Sequence, residues 1–273
     1  MPVIANNIAA NTALAYLNTN SAAESAALAE ISSGSRITSA ASDASGLAIS
    51  TNLNSDVTVL QQAASNTTSG IAALNTASSG LTNISDILTR MKSLATQAQS
   101  ATSDTDSLSD IGTEFTALAG ELTSIIGSTT FNGTSLLGAT GFSAGVTIQT
   151  GTTATTTATI TTPNATAAVA PVVADTITDS ASAITAFNDV TTALSTISTG
   201  QASVGAQLES LQYTATNIST SVTNLQSAAS DITDVDLSAA QTTYTNQQTL
   251  TSAAVSALTE ANQMQAELLK VLQ

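Results

Sequence analysis

One row of apolar residues constrains this chain more than any other feature. Phe187, Val190, Leu194, Ile197, Gln201, Val204, Leu208, Leu211, Ala215, Ile218, Val222, Leu225, Ala229 and Ile232 follow one another in alternating steps of three and four, and only Gln201 is polar. That alternation is the seam of a supercoiling helix. At 1.5 Å per residue the row would run roughly 70 Å, too long for a globule made from 273 residues. Gly200 and Gly205 interrupt it at about 1 kcal/mol each relative to Ala, so the helix is expected to lean on partners there.

A matching row lies in the first half: Leu53, Val57, Leu60, Ala64, Thr67, Ile71 and Leu74, resuming after a slip near Ser78 through Leu81, Ile84, Leu88, Met91 and Ala98. An amphipathic helix without a partner is marginal in water, so the two rows are expected to pair antiparallel. Between them the composition changes. Residues 147–162 contain ten Thr in sixteen, and no charged residue occurs between Glu121 and Asp175. Thr-rich runs favour strands, and Asn132-Gly133 signals a hairpin turn. The expected fold is mainly α, with long antiparallel coiled-coil-like rods from both chain ends and a small β-containing or irregular head in the middle. Shorter amphipathic stretches flank the rods, at 3–32 (Leu14, Leu17, Leu28, Ile31) and 237–272 (Leu250, Ala254, Leu258, Ala261, Leu268, Leu272). Each has little apolar area of its own, so order there is expected to come with assembly.

Composition narrows the chemistry. With no His and no Cys there is neither an imidazole base nor a thiolate, and none of the usual zinc ligand sets. Only Arg36, Arg90, Lys92 and Lys270 are basic, and they are scattered. No constellation for catalysis, metal or cofactor emerges. A net charge of −15 opposes a nucleic-acid partner and an anionic membrane surface. Aromatics are only 3% and much of the apolar content is Ala, so one compact core would be weak and packing against copies of the chain is expected. The first residues, Met1-Pro2-Val3-Ile4, show no signal-peptide pattern, and no run approaches the ~20 apolar residues of a membrane span.

Several segments resemble bacterial flagellins. Asn7-Ile8-Ala9-Ala10 resembles that family's opening motif, and residues 33–49, SGSRITSAASDASGLAI, are similar to its SSGxRINSAxDDAAGLAI signature. Residues 70–74 and 87–98 follow its first-rod pattern, and residues 130–137, TFNGTSLL, resemble its FNGxxLL turn. Gly205-Ala206, the run Asp231 to Asp236, and the closing segment from Ala261 to Gln273 resemble elements at the other end. The family usually has Lys at the position of Ala41, Asp at Ser42 and Arg where Asp231 stands, so the resemblance implies that this chain lacks most of its inter-subunit charge pairs. Arg36 remains, with an acidic partner expected on the same or an adjacent subunit.

The resemblance implies a structural subunit that polymerises into the flagellar filament for swimming motility, not an enzyme. It implies inner-tube helices at 1–40 and 236–273, and an N-terminal rod at 41–140 with a hairpin near 130–137. It further implies a small variable outer head at 141–180 and a C-terminal rod helix at 181–235. Self-assembly in the inner tube would use Ile4, Ile8, Leu14, Leu17, Leu250, Leu258, Leu268 and Leu272. The rod seam would use Leu53, Val57, Leu60, Ile71, Leu74, Leu194, Ile197, Leu208, Leu211, Ile218 and Leu225. Implied partners are the chain itself, the flagellar export apparatus, an export chaperone and the filament cap, with an extracellular filament as the location. In flagellins seen by a vertebrate innate receptor, an Arg, a Leu and a Glu of the first rod make contact; Arg90, Leu94 and Glu114 occupy matching places. The alternatives are a hook–filament junction protein and a Ser/Thr-rich surface adhesin.

Overall fold

The computed structural model describes residues 7–100 and 104–271. The helices, in chain order, are α1 (Ile8–Ser33), α2 (Ala44–Ala98), α3 (Thr105–Ser128), α4 (Ala165–Ala174), α5 (Ser180–Thr233) and α6 (Leu237–Val271). Two short hairpins lie between α3 and α4: β1 (Thr130–Phe131) with β2 (Thr134–Ser135), and β3 (Val146–Gln149) with β4 (Thr157–Ile160). Both pairs are antiparallel. The chain divides into two compact units. One comprises residues 56–223; the other combines the segments before and after it.

In the middle unit, α2 and α5 pack antiparallel, as their seams require. Leu211 lies beside Gly70, the Lys92 ammonium sits 5.0 Å from the centre of the Phe187 ring, and Gln99 Nε2 donates to the Ala183 carbonyl at 3.4 Å. These three contacts keep one antiparallel register. On α5 the large buried side chains recur every seventh residue, Val190, Ile197, Val204, Leu211 and Ile218, with the smaller Ala186, Ala193 and Gly200 buried beside the first of them. The alternate seam positions Leu194 and Leu208 are half-buried. One heptad position therefore points at the centre of the contact and the other lies along its rim. On α2, Val57, Leu60 and Leu74 are buried and Ile71 is half-buried, and the buried row continues unbroken through Leu81, Ile84, Leu88 and Met91. The slip read near Ser78 shifts the buried face without ending the helix.

The middle segment shares the core of the rod. Leu136, Leu137, Phe142, Ile160, Val169, Val172 and Ile177 belong to the same buried cluster as the α2 and α5 seams. Residues 141–180, read as a separate head, are thus folded onto the rod. Their apolar side chains are too few for a core of their own, and burying them against α2 and α5 removes them from water. The β1–β2 turn is the one anticipated, with Asn132 and Gly133 both at positive φ, 48° and 76°, as a two-residue hairpin demands. The edge of β4 is closed by a side chain: Gln207 accepts from Thr161 N at 2.7 Å and donates to Thr161 O at 2.9 Å. Helix α4, which follows the Thr-rich run, carries Pro171 within it and was not expected from the sequence.

The two seam glycines of α5 differ in kind. A β-carbon at Gly200 would stand 2.6 Å from Pro163 Cγ, whereas one at Gly205 would meet nothing within 4 Å. The expected partner exists at Gly200, and among the described residues none exists at Gly205. Gly205→Ala is expected to stabilise the chain by about 0.5–1 kcal/mol, the ordinary helix-propensity gain. Gly200→Ala is expected to destabilise it, because the proline ring cannot rotate away. Denaturant midpoints of the two variants check this, and equal stabilisation by both would show that Pro163 is not seated on α5.

Asp175, just after α4, is partly buried, and that desolvation, with the nearby Asp189 carboxylate, raises its pKa to about 6. A carboxyl whose folded pKa exceeds its ordinary 3.8 binds more protons in the folded state. Stability attributable to it is therefore highest below about pH 4 and falls as pH rises through about 6. Asp175→Asn is expected to be more stable than the parent at pH 7.5, with the advantage shrinking at pH 4.5. Midpoints measured at the two pH values test it; an advantage independent of pH would contradict the assignment.

Candidate functional site

The terminal unit is organised around α1 and α6, two helices that lie against each other. Asn7 caps α1 by accepting from Ala10 N at 2.9 Å and also reaches α6, its Nδ2 donating to the Ala261 carbonyl at 3.0 Å. Gly34, in the left-handed conformation, closes the other end of α1 by donating to Glu30 O. Asp236 opens α6 by accepting from Ser238 N and Ala239 N at 2.9 and 3.1 Å.

The less exposed positions of both helices again step by three and four. On α1 they include Ala10, Ala13, Leu17, Asn20, Glu24, Ala27 and Ile31; on α6, Ala240, Tyr244, Gln247, Thr251, Ala254, Leu258, Ala261 and Gln265. Among the described residues, the buried ones in these two helices are all alanines: Ala10 and Ala27, Ala240, Ala254 and Ala261. An alanine seam lets backbones approach closely but buries little apolar area.

Most of the large apolar side chains of the two helices face outward. Ile8 is 68% exposed, Leu14 45% and Leu250 48%, and Tyr16, Leu28, Val255 and Met264 are exposed with them. Of the fourteen large apolar side chains exposed among the described residues, ten belong to the terminal unit. Scattered exposed apolar residues need no explanation, but such a concentration marks an interaction surface. Among the residues read as assembly contacts, Ile8, Leu14 and Leu250 lie on this surface, while Leu17 and Leu258 sit half-buried in the α1–α6 seam. Ile4, Leu272 and the side chain of Leu268 fall outside the described residues. Tyr16, Leu28, Val255 and Met264 complete the outward set. The signal for them was the Ala row: where Ala holds the seam, the larger residues must point elsewhere.

A short junction ties the two ends of the chain together. Ser35 and Asp234 form an isolated antiparallel bridge, flanked by Arg36 N to Thr233 O at 2.7 Å and Val235 N to Gly34 O at 3.1 Å. Arg36 donates through Nε and Nη2 to the Ile232 carbonyl at 3.2 and 2.7 Å. A cation is well placed there, because the last carbonyls of a helix carry partial negative charge. Its acidic partner is Asp43 of the same chain, at 3.8 Å, which also caps the start of α2 by accepting from Gly46 N at 2.8 Å. The terminal parts of the rod seam, Leu53 and Leu225, are half-buried.

Family comparisons agree with this layout. Residues 4–141 match the bacterial flagellin N-terminal helical region, and residues 187–272 match the bacterial flagellin C-terminal helical region. The chain belongs to the bacterial flagellin family. A flagellin from Clostridium tyrobutyricum is 42% identical over 74 residues, which is 27% of this chain and 20% of that protein. The alignment thus spans a fifth of that relative's length. The crystal structure of Bacillus cereus flagellin matches with a TM-score of 0.52 and 29% identity, covering 60% of this chain and 94% of that one.

One reading carried by the family resemblance is corrected by the geometry. Arg90 and Glu114 do come together, with Arg90 Nε and Nη2 donating to Glu114 Oε1 at 2.8 and 2.6 Å across α2 and α3. Leu94, however, is 2% exposed and part of the core. The α2 seam turns it inward, so of the three residues only Arg90 and Glu114 are available to a surface partner. Leu94→Ala is expected to cost roughly 2–5 kcal/mol of stability, and Arg90→Ala less than about 1 kcal/mol, as for exposed ion pairs. Similar small losses in both, read from denaturant midpoints, would place Leu94 at the surface instead.

Proposed function

We propose that this flagellin family member is a structural subunit of the flagellar filament, assembling through the outward faces of α1 and α6. The observation that carries the reading is the inversion in the terminal unit: the residues of α1 and α6 that are buried among the described ones are all Ala, while Ile8, Leu14, Tyr16, Leu250, Val255 and Met264 face outward. Joining copies through that surface removes this apolar area from water. The chain's own alanine seam cannot accommodate it.

In this reading, residues 1–40 and 236–273 form the inner tube and the helical rods surround it. Residues 141–180 face outward at the filament surface, packed on the rod. The filament lies outside the cell and serves motility. Its subunit reaches the tip through the export apparatus, with an export chaperone and the filament cap as partners, and it performs no catalysis. Lattice contacts rest on apolar packing and on Ser, Thr, Asn and Gln hydrogen bonds. The basic residues are too few to pair the acidic ones: four against nineteen. A contact with a host innate receptor would fall on the Arg90–Glu114 surface. The outward apolar set favours the polymer over an adhesin, whose function would lie in residues 141–180.

Deleting residues 250–273 is expected to leave a soluble chain that retains the middle unit but forms no filaments. Electron microscopy after conditions that polymerise the parent decides it. Filaments of ordinary length from the truncated chain would refute the proposal.

A further inference from the structure

The outer edge of the β3–β4 hairpin is guarded from outside the sheet. Thr150 N donates to Thr156 O at 3.0 Å. With the register Val146↔Ile160, Thr147↔Thr159, Ile148↔Ala158 and Gln149↔Thr157, this makes Val146/Ile160 and Ile148/Ala158 the hydrogen-bonded pairs of the ladder. Antiparallel pairs alternate, so Thr157, Thr159 and Thr161 turn their backbone N–H and C=O away from β3. Thr157 N is held within its own turn, donating to Thr155 O at 3.1 Å. At the other end, Gln207 of α5 grips both backbone groups of Thr161, at 2.7 and 2.9 Å. Its Nε2 also lies 3.3 and 3.2 Å from the carbonyl and hydroxyl oxygens of Ser203, which fixes the orientation of the amide. The side chain reproduces what one residue of a neighbouring strand would offer.

The residues of the hairpin say which strand that would be. Residues 155–162, TTTATITT, contain no charge, no Pro and no Gly, and Thr157, Thr159 and Thr161 are exposed. Short runs of this kind pair with copies of themselves, and an open strand edge is their template. Two copies of β4 laid antiparallel about Thr159 would match Thr159 with Thr159, and Thr157 with Thr161 twice by symmetry. Thr–Thr cross-strand pairs are favourable, and no charge in either segment opposes them. Because Thr161 enters two of the three matches, one Gln207 per chain cancels both.

We propose that Gln207 is a guard on the β4 edge, and that the partner it turns away is β4 of a second copy. Copies are thereby kept from joining through strands. The guard acts whether or not the chain builds a filament.

The test compares the full-length parent, Gln207→Leu and Gln207→Leu/Thr159→Lys at equal concentration and low ionic strength. Light scattering reports association, and the intermolecular β-sheet band of the infrared amide I spectrum reports its kind. A polymer joined through helices does not give that band, so strand pairing and filament formation are read separately. Gln207→Leu is expected to raise the fraction of strand-paired chains at least about fivefold over the parent, as an unguarded edge should. Adding Thr159→Lys is expected to return it to near the parent's level, because two lysines would stand directly opposite each other. A Gln207→Leu chain that associates no more than the parent would overturn the proposal. Strand pairing that Thr159→Lys leaves unchanged would overturn β4 as the partner. A Gln207→Leu chain whose denaturant midpoint shows the middle unit already unfolded under these conditions would also overturn it, since Gln207 would then be a tether of the fold and not a guard.

Discussion

Antiparallel packing of α2 against α5 is the contact on which the middle unit depends. It supplies the buried row from Val190 to Ile218 on one side and from Val57 to Met91 on the other. It also supplies the surface onto which the intervening segment folds. The hairpins and α4 bring only a handful of large apolar side chains, and these become a core by joining the one the rods already form. Pro163 against Gly200, and Ile148 and Ile160 against Gly70, show how closely that segment is seated. Close approach of backbones, made possible by missing side chains, recurs as the device that joins one element to the next.

The terminal unit applies the same geometry to a different end. Its helices also follow a three–four repeat, yet the buried positions are Ala, and the larger residues look outward. A seam of Val, Ile and Leu buries its own apolar surface and is finished as a single chain. A seam of Ala with outward Leu, Ile, Tyr and Met leaves its apolar surface for something else to cover. The division between a self-sufficient middle and an incomplete pair of ends follows from which residue type occupies the seam. Charge contributes little to it: Arg36 and Arg90 are engaged within the chain, at Ile232 and Glu114, and Lys92 lies over Phe187.

Much of this was legible in the residue order because heptad spacing survives without knowledge of the partner. The α5 seam, the antiparallel α2 seam and the Asn132-Gly133 turn were all readable, since each follows from local periodicity or from a backbone conformation few residues adopt. What was not legible depended on contacts distant in sequence. Leu94 reads equally well as surface or core until α3 is placed. Helix α4 is hard to read from its short, Pro-containing Ala/Val sequence, because Val169 and Val172 are buried in the rod core and its stability depends on that burial. On α1 and α6, Leu17 and Leu258 were read as assembly contacts together with Leu14 and Leu250. Leu17 and Leu258 are in the seam because the register places them there, and composition alone cannot say which side of an Ala-rich helix faces its neighbour.

The central claim is that the outward side chains of α1 and α6 are what copies of this chain bury when they assemble. A cryo-electron microscopy map of filaments grown from the purified chain tests it most directly. The account predicts α1 and α6 innermost, with Ile8, Leu14, Tyr16, Leu250, Val255 and Met264 packed against neighbouring subunits. A filament in which those side chains remain in contact with solvent, with subunits joined through the middle unit alone, would contradict it.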